Sequence, residues 1–189
     1  MNIIPMVRSD FFHKSSVATD KLEDLLAEIQ ENYTVENAVP NSNPGCWRSN
    51  FKYKNLDWLL HEVTELTDSA IAFYKEHDII FKNINVQKPY KIHYWTNVNE
   101  PYSKNVLHSH LSSSFSCIYY VQASGTGDLR LLNPANMLGN CNSLSPFTRD
   151  VHISPSDGDL FLWPAWMPHE VEPNLSSKQR VNIVFDITL

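Results

Sequence analysis

The sequence predicts a mostly-β chain in which N-terminal helices pack on one outer face of an antiparallel sandwich or barrel. Three observations predict it. Apolar residues recur at helical spacing in the first half. The second half breaks into seven or eight short β-type runs within roughly 100 residues. Those runs are divided by clusters of Gly, Pro, Asn, Ser and Asp, the residues that turns favour.

Taken in order, the first helix is expected to start at Asp20, with Glu23 three positions on as in a capping box. Leu22, Leu25, Leu26 and Ile29 then form its apolar stripe. Residues 37–50 (NAVPNSNPGCWRSN) have the composition of a loop. A second helix is expected over about 56–76, with Leu59, Leu60, Val63, Leu66, Ile71 and Phe73 on one face and Glu62, Glu65 and Asp68 on the other. The β-type runs follow: KIHYWTNV, VLHSHL, FSCIYYVQ, DLRLLNP, DVHIS, DLFLWP, HEVEP and RVNIVFDITL. Gly125, Gly127 and Gly158 read as turn residues. The polar loops 134–150 and 37–50 are long enough to serve as lids or substrate-binding segments.

The length of 189 residues suits one domain, 1–189, with a helical support over about 1–85 and a β core over about 86–189. A net charge of -6 argues against a dedicated nucleic-acid binder, whose footprint is usually basic. No stretch approaches the roughly 18 apolar residues that span a bilayer, so no membrane partner is expected. The opening MNIIPMVRSDFF lacks the pattern of a signal peptide. Cys46, Cys117 and Cys141 are odd in number and lack metal-type spacing, which suggests reduced thiols and a cytoplasmic location.

His108 and His110 stand two apart in a β-type run, where alternation would point both rings to one side. His169 follows on a distant run, straight after WPAWMP. Three imidazoles converging from separate strands would leave coordination positions open for substrate and oxygen. An isolated histidine on a strand can equally be read as a hydrogen-bonded surface or pocket residue. His152, in a β-type run, is the substitute should one of the three not belong. His61 and His77 read as helix-surface residues. Phe161, Trp163 and Trp166 read as barrel core and rim, and Trp95 as core or pocket wall.

The segments HSH, SCIYYV, GDLFLWPAWMPHEVEPN and RVNIVF resemble the 2-oxoglutarate- and iron(II)-dependent oxygenases, covering roughly residues 90–189. CIYYV and PHEVEP are similar to the prolyl-hydroxylase-like branch. The whole pattern, with YWTNV before HSH, resembles a group of small oxygenases from bacteria and marine phages. The resemblance implies a double-stranded β-helix (a jelly roll, cupin-like), with iron(II) as metal, 2-oxoglutarate as co-substrate and O2 as oxidant. It implies metal ligands at His108, His169 and, in the position usually held by Asp or Glu, His110. Arg180, eleven residues beyond His169, matches the basic residue that pairs with the far carboxylate of 2-oxoglutarate. Tyr120 matches a tyrosine that hydrogen-bonds the same group. Asn182 is implied as a pocket neighbour and Asn97 as a lining residue. Read from the residues alone, Arg180 could instead be a strand arginine paired with an acid, Tyr120 a core aromatic and Asn97 a turn cap.

The implied reaction converts 2-oxoglutarate to succinate and CO2 while hydroxylating a small-molecule or peptidyl substrate. The histidine in place of a carboxylate keeps two other readings open: a three-histidine cupin-type dioxygenase that does not use 2-oxoglutarate, and a non-catalytic β-sandwich module with structural or zinc-binding histidines. His110 could also stand back, with water or chloride in its place. A homodimer stays open.

Overall fold

The computed structural model describes residues 10–41, 43–78, 81–133 and 150–189. Its elements run β1 (Phe12–Lys14), α1 (Leu22–Asn32), β2 (Cys46–Ser49), α2 (Asp57–His77), β3 (Lys91–Asn99), β4 (Asn105–His108), β5 (Phe115–Gln122), β6 (Leu129–Leu131), β7 (Val151–Ile153), β8 (Leu160–Pro164), β9 (His169–Val171) and β10 (Arg180–Thr188). The strands form a six-stranded sheet in the order β1-β8-β5-β10-β3-β2 and a four-stranded sheet in the order β4-β9-β6-β7. Every pairing is antiparallel. The architecture is the mostly-β, double-stranded β-helix arrangement with two helices on one face.

The six-stranded sheet is buried on both sides, which explains why β5 (FSCIYYVQ) and β10 (RVNIVFDIT) read as nearly continuous apolar runs rather than alternating ones. Successive side chains on β10 go to opposite faces. Val181, Ile183, Phe185 and Ile187 face the helices and meet Leu25, Ile29, Leu59, Val63 and Ala70 in one core. Val184 faces the other way and joins Trp95, Ile118, Tyr120, Leu129, Phe161, Trp163 and Val171 between the sheets. Burying each large apolar side chain of these cores stabilises the fold by about 1.5–3 kcal/mol.

Three local expectations differ from what forms. Asp20 lies in a 3-10 turn, Thr19–Lys21, and the residue capping α1, Lys21, makes no side-chain cap bond. The turn is closed by backbone instead, with the Lys21 N–H donating to the Ala18 carbonyl at 2.9 Å, so no capping box is needed. Part of the expected loop 37–50 is a strand: β2 pairs with β3, Arg48 opposite Asn97 and Cys46 opposite Asn99. Finally, β4 ends at His108, so His110 lies beyond the strand. Its N–H donates to the Ala165 carbonyl at 2.8 Å, a contact across the fold and not a pleat repeat. The expected lid 134–150 and Cys141 lie outside the described residues but for Asp150. Among the described residues no helix is long and apolar enough to cross a membrane.

Candidate metal centre

The β4–β9 ladder places His108 directly opposite His169. The chain leaving β4 then brings His110 beside them. One ring nitrogen from each of the three lies within 4.8 Å of the others. Every Nδ1 faces an acceptor: His108 the Val106 carbonyl at 2.7 Å, His169 the Met167 carbonyl at 3.0 Å, and His110 the Asp186 carboxylate at 2.6 Å. An acceptor there requires the proton on Nδ1, which leaves the Nε2 lone pair free to bind a metal. Burial, followed by the charge of the neighbouring His108, pushes the pKa of His169 down to about 3, so this ring stays neutral and ready to ligate. Burial also lowers His108. His152 is not part of the group. It is exposed at the far edge of the four-stranded sheet, 3.7 Å from Glu172.

The cluster opens onto a cavity of about 330 Å³ whose lining includes Arg48, Trp95, Asn97, Trp163 and Asp186. Trp95 is both core and wall. Its ring stacks with His110 at 5.6 Å and carries the Arg48 guanidinium at 4.2 Å. Trp163 closes the opposite side, its ring edge-on to His169 at 5.0 Å. Asp159 accepts the Ser156 N–H at 2.8 Å in the turn before β8.

Strand register orders the polar groups of the inner sheet face into rows. Asp186 sits in the row beside the histidines and Val184 in the next. Asn182 stands opposite both Asn97 and Tyr120, and Arg180 stands opposite Asn99. Asn97 lines the cavity and donates to Asn182 at 3.2 Å, just behind it. Arg180 and Tyr120 lie deeper and are 0% exposed. Arg180 Nη1 donates to the carbonyls of Thr126 at 2.7 Å and Glu172 at 3.2 Å. Its Nε and Nη2 have no acceptor, and the buried Tyr120 hydroxyl has no partner either. Burial pulls the Arg180 pKa down, opposed by Tyr120 and Cys46, and pushes that of Tyr120 up, so the phenol keeps its proton. Buried donors without acceptors are expensive in an apolar interior. A guanidinium fork beside a phenol suits the carboxylate end of an anion.

Gly127 makes the cradle of Arg180 feasible. At φ +101 it occupies a conformation that side chains avoid, and a Cβ there would lie 2.8 Å from the Glu172 carbonyl oxygen and 3.3 Å from Arg180 Nη1. Gly127→Ala is expected to destabilise the protein by ~1–3 kcal/mol. Thermal unfolding should show a midpoint lower by roughly 2–4 °C for each kcal/mol lost.

Two residues of the site escape sequence reasoning. Asp186 carries a signal that could have found it: it follows Arg180, Asn182 and Val184 at strand alternation, on the same face. Arg48 carries none, because it stands within a stretch of loop composition.

Residues 93–186 match the family described as "Putative 2OG-Fe(II) oxygenase". No curated protein matches the chain. Among solved structures, a Pseudomonas putida prolyl-4-hydroxylase is similar at 13% identity and TM-score 0.65, over 95% of this chain and 92% of its own. The non-heme alpha ketoglutarate-dependent epimerase SnoN from nogalamycin biosynthesis matches at 10% identity and TM-score 0.67, over 96% of this chain and 78% of its own. HygX from Streptomyces hygroscopicus, solved with nickel, 2-oxoglutarate and hygromycin B bound, matches at 15% identity and TM-score 0.58, over 95% of this chain and 83% of its own. At such identities these likenesses speak for the fold. The family match begins at His93 and ends at Asp186, cross-strand partners on the row beside the histidines, and by it the chain belongs to the 2-oxoglutarate- and iron(II)-dependent oxygenases, whose metal is iron(II) and whose co-substrate is 2-oxoglutarate.

Proposed function

We propose that this protein hydroxylates an organic substrate, with iron(II) held by His108, His110 and His169 and 2-oxoglutarate anchored by Arg180 and Tyr120. The balanced reaction takes a C–H bond, O2 and 2-oxoglutarate to an alcohol, succinate and CO2. Bound iron supplies the oxygen-activating chemistry, and the protein's residues bind, orient and shield. The observation that carries this reading is the fully buried Arg180 guanidinium with two nitrogens lacking acceptors. It lies on the sheet face whose other end adjoins the imidazole cluster. A three-histidine dioxygenase that ignores 2-oxo acids has no use for such a group.

In this reading Asn97 and Asn182 flank the co-substrate between metal and anchor. Trp95 and Trp163 keep water away from the metal, which strengthens each charged contact inside. Asp186 fixes the orientation and tautomer of His110, and it supplies next to that ring the negative charge that a carboxylate ligand would otherwise bring. Asp186→Asn is expected to weaken iron(II) binding about 10- to 100-fold, measured by competition with a chromophoric chelator.

The reading is tested by adding iron(II) and 2-oxoglutarate without oxygen. A weak visible charge-transfer band that requires both additions supports it. Admitting oxygen should then yield succinate. Oxygen uptake without succinate would point to the three-histidine dioxygenase, and failure to hold iron to a non-catalytic module.

A further inference from the structure

The cavity holds a second guanidinium that neither metal nor co-substrate binding employs. Arg48 stands on the edge strand β2, opposite Asn97, which in turn stands opposite Asn182 and then Tyr120. This row crosses the sheet from rim to interior, and Arg48 occupies its outer end. Its guanidinium lies over the Trp95 ring at 4.2 Å and lines the same cavity as the histidines. Among the described residues it has no hydrogen-bonding or ion-pairing partner, and its Nε is buried without an acceptor.

The other arginines described at the sheets are engaged. Arg130 bonds Asp150 and Glu170, each at 2.8 Å, and Arg180 is tied to two carbonyls. Asp186, the carboxylate on the described cavity wall, is committed to His110 at 2.6 Å. A guanidinium held over an indole has already lost much of its rotamer freedom, so little more is lost when it binds an anion. The two guanidinium groups sit in adjacent rows, one at the mouth and one buried. The pair suits two separate anions, the inner one being the co-substrate.

We propose that Arg48 docks an anionic group, a carboxylate or a phosphate, on the substrate that is oxidised. The inference rests on the oxygenase reading and names its substrate class: a small acid whose charged end sits over Trp95 while its oxidised carbon faces the histidines.

The test uses the full protein with iron(II) and saturating 2-oxoglutarate under anaerobic conditions, titrated in a calorimeter with three probes: inorganic phosphate, N-acetylglycine and the neutral N-acetylglycinamide. At least one of the two anions should bind and the amide should not. Phosphate alone binding identifies a phosphorylated substrate, and N-acetylglycine alone a carboxylic acid. Arg48→Gln should weaken the anion about 10- to 100-fold, and Arg48→Lys should recover part of that loss. The 2-oxoglutarate Kd should stay unchanged in both variants, which also shows that they fold. The inference is overturned if the amide binds as well as the acid, if neither anion binds, if Arg48→Gln leaves anion binding intact, or if it raises the 2-oxoglutarate Kd, which would make Arg48 the co-substrate anchor. A wild-type protein that forms no iron–2-oxoglutarate complex at all would sink the oxygenase reading, and this inference with it.

Discussion

Replacing Arg180 by alanine should raise the 2-oxoglutarate Kd about 100-fold while leaving iron(II) binding close to that of the wild type. Truncating one partner of a buried, hydrogen-bonded charge pair costs ~2–5 kcal/mol, and ~2.7 kcal/mol corresponds to about 100-fold. Arg180 is 0% exposed, with Nε and Nη2 awaiting an acceptor and Nη1 held by backbone carbonyls. Its fork is therefore already aimed. Arg180→Lys should recover only part of the affinity, because an ammonium offers a point charge without the parallel pair of donors. The charge-transfer band followed against 2-oxoglutarate concentration gives the Kd, and metal analysis gives the iron. Unchanged 2-oxoglutarate binding in Arg180→Ala would make the guanidinium a purely structural tie between the turn at Thr126 and the strand end at Glu172.

The second large effect is expected at His169. His169→Ala should reduce iron(II) affinity by more than the roughly 10- to 100-fold attached to loss of an outer hydrogen-bond partner such as Asp186. His169 is the most buried of the three rings, at 5% exposure, and it is held between Trp163 and the Met167 carbonyl. A metal that binds only the folded state at 100 times its Kd adds ~2.7 kcal/mol of stability. Iron(II) should therefore raise the unfolding midpoint of the wild type by roughly 5–10 °C. The same addition to His169→Ala should leave the midpoint in place. An equal rise in both proteins would show that the metal binds elsewhere.

Much of this architecture is legible in the sequence, and the parts that are not share a cause. The second helix is legible because the stripe from Leu59 to Ile71 keeps helical spacing through most of a 21-residue element, Asp57–His77. Strands β5 and β10 are legible because both faces are buried and apolar residues run on without a break. The meeting of His108, His110 and His169 is legible from residue type and from the resemblance of the surrounding segments, although strand alternation is not what brings His110 in. Strand β2 is illegible because four residues among Asn, Pro and Gly gain their extended form from pairing with β3, a partner more than forty residues away. Arg48 is hidden for the same reason. The bond from Asp186 to His110 joins residues 76 positions apart, and no local pattern reports it. Local periodicity reveals which face a residue takes, whereas which groups touch across that face is settled by the register of neighbouring strands.

The three-imidazole cluster has a consequence for how the protein would be handled. With no oxygen donor of its own among the three rings, the cluster is a nitrogen site, and nitrogen sites favour nickel, copper and zinc over iron and manganese. Protein isolated in air from cells grown on mixed metals would arrive loaded with the wrong ion and appear inert. Stripping with a chelator and refilling with ferrous salt under argon would then separate an idle preparation from an inactive enzyme.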